Sequence, residues 1–195
     1  MRKKSHISLA KFIVQNSKDE KLKKHRMAFY LGSILPDIKP SFLYKKHEME
    51  GTFPMLKKEM EKLSGDFEIK YKRQKTKYYR NLGQVTHYLA DYFTFPHNQV
   101  FPGNLKDHMT YEEKLKKSFR KYIKSGEAAK NKANSIEIPS VEELVKFIEK
   151  NHKDYIIKAK GVEDDMKHII DLNHQVVFSI SIMFQKAKET HLHQS

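Results

Sequence analysis

Apolar positions along the chain recur at the spacing of an α-helix. From Tyr79 to Phe93 the apolar side chains fall mostly three or four residues apart, and no proline interrupts them. The C-terminal part of the chain has a long apolar face of the same period, which includes Ile169, Val176 and Ile180. Sustained alternation of period two, the mark of a half-buried strand, is missing from the sequence. The pattern therefore predicts an all-α protein.

Glycines and prolines divide this pattern into about seven helices. Pro96 is expected to end a helix before His97, because proline cannot continue a helical hydrogen-bond ladder. Ser140 followed by Glu143 has the form of a capping box, which marks a helix start. The predicted helices span residues 6–17, 21–34, 47–63, 66–93, 107–124, 140–158 and 162–188. We expect them to form a compact single-domain helical bundle over residues 1–195.

The composition restricts the chemistry of any metal site. A chain of 195 residues is long enough for one domain that buries about 70% of its unfolded surface. It contains no cysteine, which excludes disulfides and thiolate zinc sites. A metal would have to be bound by histidine, aspartate and glutamate, so the 11 histidines are the natural candidates.

The net charge of +14 favours an anionic partner, such as a phosphoester substrate, a nucleic acid or an anionic membrane surface. The densest basic run, residues 70–80, is interleaved with Tyr71, Tyr78 and Tyr79, a composition that suits phosphate and base contacts. It equally suits the solvated start of a long helix. Nothing in the sequence points to an obligate protein partner.

Neither a secretory signal nor a membrane span is predicted. The first residues are basic but lack the apolar run of a signal peptide. The longest uncharged apolar stretch, near Val176 to Phe184, is shorter than the roughly 20 residues that cross a bilayer. We expect a soluble, cytoplasmic protein.

Two pairs of candidate metal ligands share a four-residue spacing. His87 precedes Asp91 by four residues, and His108 precedes Glu112 by four. Residues four apart lie on the same face of a helix, so each pair would point in one direction. Each pair alone is weak evidence for a metal site, because one histidine on an apolar helix face is more often a core residue with satisfied hydrogen bonds than a ligand.

Further candidates upstream and between these pairs strengthen the prediction. His6 lies near the N-terminus, Asp37 follows a Gly-Ser-Ile-Leu-Pro turn, His47 comes ten residues later, and His97 lies between the pairs. The complete order is His6, Asp37, His47, His87, Asp91, His97, His108, Glu112. This order and its spacings resemble the zinc-dependent phospholipase C family, which is related to the single-strand-specific nucleases with three zincs. The good motif covers about 110 residues, so the candidate ligands lie within residues 1–112, with packing helices in residues 113–195.

The resemblance implies a cluster of zinc ions in a cleft of the helical core. One zinc would be held by Asp37, His47, His87 and Asp91, and a second by His97, His108 and Glu112. His6 would bind a third zinc that shares the Asp91 carboxylate. In the family, this third ion is also bound by the amino group and carbonyl of the first residue of the mature chain.

The expected activity is that of a metal-dependent phosphoric-ester hydrolase of phospholipase C type. Hydroxide held by the metals would attack a phosphodiester, with Asp37 as the candidate general base as well as a ligand. The substrate would carry a phospholipid headgroup or a nucleotide. One alternative is a nuclease or nucleotidase that uses the same cluster. Another is a non-catalytic helical protein that binds anions and is stabilised by its metals.

Overall fold

The computed structural model describes residues 1–38, 48–69, 71–158 and 161–192, which form helices and no strand. The all-α prediction is confirmed, and seven of the described α-helices have at least seven residues. The helices are α1 (Lys3–Asn16), α2 (Glu20–Lys24), α3 (Arg26–Gly32), α4 (Met49–Glu61), α5 (Lys72–Tyr92), α6 (Leu105–Lys124), α7 (Glu127–Asn131), α8 (Val141–Lys158) and α9 (Val162–Leu192). A π-helical turn at Lys62–Asp66 follows α4, and a 3-10 turn at Phe95–His97 follows α5.

Some helix boundaries differ from the sequence prediction. The single helix predicted over residues 21–34 is interrupted at His25, whose imidazole ring stacks on Tyr79 of α5 with ring centroids 4.9 Å apart. Asp19 caps α2 by accepting hydrogen bonds from Lys21 N–H and Leu22 N–H. Helix α5 begins at residue 72 rather than 66, because α4 continues as the π-helical turn up to Asp66 and residues 67–69 are not helical. The break at His25 thus coincides with a contact to another helix, and the start of α2 is set by the Asp19 cap.

Helix α5 lies at the centre of the fold and contacts α1, α3, α4 and α9. Its Leu82, Val85 and Leu89 side chains are fully buried, as are Ile169 and Val176 of α9. Because α5 is enclosed on several sides, its polar side chains at the same depth are removed from water. His87 and Asp91 are among them, so the fold itself buries two of the candidate ligands.

Helices α3 and α5 cross at a pair of glycines. A Cβ atom added at Gly83 would clash with the carbonyl oxygen of Phe29, and one added at Gly32 would clash with the carbonyl oxygen of Arg80. Only residues without a side chain allow the two backbones to come this close. The crossing brings the C-terminal end of α3 alongside the second half of α5.

Among the described helices, none combines the length and the apolar character that crossing a bilayer requires.

Candidate metal centre

The first group of ligand atoms surrounds the Asp91 carboxylate near the end of α5. His6 Nε2 lies 3.3 Å from Asp91 Oδ1, and His87 Nε2 lies 3.3 Å from Asp91 Oδ2. Asp37 Oδ1 lies 3.5 Å from the same His87 nitrogen. The His6 and His87 rings stack with centroids 3.9 Å apart. Three separate parts of the chain, α1, the segment after α3, and α5, therefore meet here.

The glycine crossing fixes the orientation of His87. Its Nδ1 lies 2.8 Å from the carbonyl oxygen of Ser33, the residue that follows α3. Because a carbonyl oxygen only accepts hydrogen bonds, Nδ1 carries a proton, and in the neutral ring Nε2 presents a lone pair to the carboxylates. Gly83 lies one helical turn before His87, and Gly32 directly precedes Ser33. A carbonyl placed behind a histidine in this way orients metal-binding imidazoles in proteins.

His6 is buried without satisfying its ring nitrogens. Its side chain is 1% exposed, Nδ1 lacks a hydrogen-bond partner among the described residues, and Nε2 faces Asp91 without hydrogen-bond geometry. Leaving a buried polar atom unpaired costs about 1–3 kcal/mol. Burial and then the neighbouring His87 lower the pKa of His6 to about 3, so the ring is neutral. Neutral imidazole is the form that binds a metal ion.

The second group of ligand atoms lies closer to the surface. Glu112 Oε1 is 3.2 Å from His97 Nε2 and 3.4 Å from His108 Nε2. The side chains of His97, His108 and Glu112 are 15%, 30% and 16% exposed, respectively. His108 and Glu112 project from the same face of α6, as their four-residue spacing predicts. This group therefore has access to solvent, which the first group lacks.

The amino group of Met1 lies between the two groups. It donates a hydrogen bond to Asp91 Oδ1 at 2.6 Å, lies 2.9 Å from His97 Nε2 and forms an ion pair with Glu112 at 3.0 Å. Burial alone lowers the pKa of this amino group, but the Asp91 and Glu112 carboxylates outweigh burial and raise it. A buried cation is thus held where carboxylates from both groups converge.

A short turn places His97 opposite α6. Asn98, the residue after the turn Phe95–His97, donates hydrogen bonds from its side-chain amide to the backbone carbonyls of Tyr92 at 3.1 Å and Thr94 at 3.0 Å. His152 Nε2 of α8 lies 3.0 Å from Asn98 Oδ1. The position of His97 is therefore set by contacts with distant helices as well as by the proline at its centre.

The carboxylates of the two groups are ionised. Burial raises the pKa of Asp91, but the Met1 amino group and the nearby histidines lower it more, to well below its ordinary value. The pKa of Glu112 is also lowered, because hydrogen bonds with His108 and His97 and the charge of the amino group outweigh burial. Burial, followed by the amino group, lowers the pKa of His97. Ionised carboxylates and neutral imidazoles are the protonation states of metal ligands.

The spacing of these atoms fits a shared metal ion. Charge-assisted hydrogen bonds between nitrogen and carboxylate oxygen are usually about 2.7–2.9 Å long. Ligand atoms around a tetrahedral zinc, each about 2.0–2.1 Å from the ion, lie about 3.3–3.4 Å from one another. The five histidine–carboxylate distances within the two groups range from 3.2 to 3.5 Å. The residues present, together with the unpaired ring of His6, therefore fit zinc.

The structure brings together seven of the eight residues that the sequence singled out, and the eighth, His47, lies outside the described residues. They form two sets of converging atoms, one of His6, His87 and Asp91 and the other of His97, His108 and Glu112. Asp37 lies at the edge of the first set. The family resemblance assigns His6 and His87 to different ions that share Asp91. In the structure, both rings face that one carboxylate from the same set.

The basic run with interleaved tyrosines is mostly the start of a packed helix. Tyr78 and Tyr79 are 1% and 5% exposed and belong to the core, whereas Tyr71 is 72% exposed. Two of the three rings are therefore unavailable to stack on bases. The run is the start of a long helix, the alternative that the sequence left open, but two of its tyrosines are packed in the core rather than solvated.

Sequence reasoning missed the groups that hold the ligands in place. Ser33 contributes a backbone carbonyl, which leaves no signature in side-chain chemistry. Asp165 of α9 is buried and bonded to the segments that carry His97 and Glu112. It occupies a position where the helical pattern of Val162, Met166 and Ile169 calls for an apolar residue. An acidic residue at an apolar position of the helical pattern was the signal in the sequence that could have identified Asp165.

Comparison with known proteins identifies one family. The family described as zinc dependent phospholipase C matches residues 5–162, which include all eight candidate ligands. Neither a curated protein nor a solved structure matches the chain at a significant level. The match covers well over half of the sequence and agrees with the order of the ligands and the helical fold. The chain therefore belongs to the zinc-dependent phospholipase C family.

Proposed function

We propose that the protein is a metal-dependent phosphoric-ester hydrolase of phospholipase C type that cleaves a phosphodiester. The observation that carries this proposal is the convergence of two neighbouring ligand sets, with Asp91 of the first set 4.0 Å from His97 of the second. The second set has access to solvent, so that a phosphate group can reach it. The zinc dependence of the family supports the identity of the metal.

The chain's residues divide into those that would hold the metals and those that would act on the substrate. His6, His87 and Asp91 would hold one ion, with Asp37 beside them, and the second set another. When bound, zinc supplies a water of lowered pKa and positive charge beside the phosphoryl oxygens. The Asp37 carboxylate is 10% exposed and lies 3.5 Å from His87 Nε2, at the edge of the first set. It is our candidate for the group that accepts the proton of the attacking water.

A groove beside the second set offers a surface for phospholipid. It has a volume of about 860 Å³ and includes Leu105 and Met109, which are 76% and 54% exposed, with Lys106 and Lys114 beside them. All four residues belong to α6, the helix that carries His108 and Glu112. Exposed apolar side chains next to lysines match the apolar and anionic parts of a phospholipid surface. We propose an anionic membrane surface as the partner of this groove.

A substrate panel tests the activity. Purified protein is analysed for bound metal and assayed on a short-chain phosphatidylcholine, on single-stranded DNA and on p-nitrophenyl phosphate. We expect stoichiometric metal and release of phosphocholine, which a chelator stops and added zinc restores. Preferred cleavage of DNA would instead favour the nuclease. Bound metal with no turnover of any ester would favour the non-catalytic alternative, and protein without metal would contradict all three.

A pair of variants shows whether activity comes from this site. Asp91→Asn removes the charge of the carboxylate around which the first set is built, so we expect activity to fall by at least about 100-fold, as removing groups around a metal commonly does. Asp154→Asn changes an exposed carboxylate on α8 and should leave activity intact. Equal activity of the two variants would contradict the proposed site.

A further inference from the structure

One buried carboxylate links the last helix to the second ligand set. Asp165 lies in the first turn of α9, is 0% exposed and falls outside the residues 5–162 that match the family. Its Oδ2 accepts hydrogen bonds from the Phe95 backbone N–H at 3.0 Å and from the Tyr111 hydroxyl at 2.9 Å. Its Oδ1 accepts one from the Tyr155 hydroxyl at 2.7 Å.

Two of these donors belong to segments that carry candidate ligands. Phe95 begins the 3-10 turn that ends at His97, and Tyr111 directly precedes Glu112 in α6. The same oxygen atom, Asp165 Oδ2, accepts from both donors, so it ties the two segments to each other. A change in the position of either segment would alter the distance of 3.2 Å between His97 Nε2 and Glu112 Oε1.

The third donor provides an internal comparison. Tyr155 lies on α8, which carries none of the candidate ligands, and its hydroxyl reaches the other oxygen of the same carboxylate. Loss of either tyrosine hydroxyl removes one hydrogen bond from Asp165. Only the loss of the Tyr111 hydroxyl releases a ligand-bearing helix.

A buried carboxylate is a costly way to stabilise a fold when its donors are neutral. Burial raises the pKa of Asp165 to about 6, although the three hydrogen bonds lower it. An apolar residue would continue the packing pattern of α9 at this position without that cost. What the carboxylate adds is a fixed acceptor for two separate segments beside the ligands.

We propose that Asp165 is a positioning residue that fixes His97 and Glu112 at the separation that a metal ion in the second set requires. This proposal rests on the proposed function only in that the second set binds a metal. It means that metal binding at the second set depends on a residue of α9, which lies beyond the segment that matches the family.

The test compares three variants of the full chain in cobalt titrations. Co²⁺ is added to metal-free wild type, Asp165→Asn, Tyr111→Phe and Tyr155→Phe, and the absorption of each ligand set is followed along with the melting temperature. We expect Asp165→Asn and Tyr111→Phe to weaken binding at the second set by about 10–100-fold, the usual effect of losing a group behind the ligands. Binding at the first set should change much less than binding at the second, and Tyr155→Phe should bind both ions as the wild type does.

The melting temperature separates positioning from general stability. Tyr111→Phe and Tyr155→Phe should lower the melting temperature by similar amounts. Only Tyr111→Phe should alter the cobalt spectrum of the second set. Equal metal binding by these two variants would overturn the proposal, even if Asp165→Asn fails to fold. A wild type that binds no metal at the second set would overturn it too. Two bound ions without ester turnover would contradict the proposed function and leave the positioning role intact.

Discussion

The two ligand sets differ in how far they are buried and in what holds them. The first, formed by His6, His87 and Asp91, is enclosed by helices, and its residues are at most 1% exposed. The second, built around Glu112, is partly exposed and is contacted by a short turn and, through that turn and α6, by Asp165. The first set is therefore part of the core, whereas the second is open to solvent.

The largest effect is expected from breaking the helix crossing behind the first set. Gly83→Ala would place a methyl group against the carbonyl oxygen of Phe29 and force α3 and α5 apart. We expect a loss of about 3 kcal/mol in the free energy of unfolding, the upper part of the range for overpacking. Urea denaturation of the metal-free protein measures this loss.

A glycine from an open position is the matched control. A Cβ atom added at Gly51 of α4 meets nothing within 4 Å, so Gly51→Ala should stabilise by up to about 1 kcal/mol through helix propensity. If Gly83→Ala were as stable as Gly51→Ala, the close crossing could not be what orients His87.

A second contrast concerns one histidine from each set. Without metal, His87→Ala removes a fully buried ring and leaves the Ser33 carbonyl without its partner, which should cost about 2 kcal/mol. His108→Ala changes a side chain that is 30% exposed and should cost only about 1 kcal/mol, the net contribution of its hydrogen bond with Glu112. Thermal unfolding of the two metal-free variants side by side would reveal the difference; equal losses would argue against distinct roles.

The rate of metal release should also differ between the exposed and the buried set. Because the second set has access to solvent and the first does not, a chelator should remove the ion of the second set first. We expect the release rates to differ by about tenfold, corresponding to about 1.4 kcal/mol. A colorimetric dye that reports released zinc would show two phases, and a single phase of two equivalents would contradict this order.

The smallest effect is expected at the lysine-lined groove. Replacing both exposed apolar residues in Leu105→Ser/Met109→Ser should weaken association with vesicles of phosphatidylglycerol and phosphatidylcholine by about fivefold, or roughly 1 kcal/mol. Turnover of a soluble short-chain substrate should not change. The control Ile157→Ser removes a side chain on α8 that is 77% exposed. Should it weaken vesicle binding to the same extent, the groove is not the docking surface.

The parts of the molecule that follow from local pattern could be predicted from the sequence. Helix α5, with His87 and Asp91 on one face, follows from its apolar period, and the order of ligands along the chain indicated the family. The break at His25 could not be predicted in this way, because a stacking contact with Tyr79 on another helix accompanies it.

The roles of Ser33 and Asp165, the groups that hold the segments with the candidate ligands, could not be predicted from the sequence for a related reason. The Ser33 carbonyl acts through the backbone, and its position depends on a crossing between helices that lie 54 residues apart at the contact. Asp165 stands among the acidic residues of the first turn of α9, where acids commonly favour the positive end of a helix. Its place in the apolar period of α9 marks it as inward-facing, but only the three-dimensional structure shows that it bonds to the segments that carry His97 and Glu112.

The position of Asp91 between the two sets has a thermodynamic consequence. One of its oxygens faces His87, and the other faces His6 and lies 4.0 Å from His97 Nδ1. An ion that orients this carboxylate from one side changes the affinity that remains for an ion on the other. By reciprocity, each ion must alter the binding of its neighbour by the same factor. For a centre that holds one ion in each set, the two binding steps would therefore be coupled, and Asp91 is the side chain that would transmit the coupling.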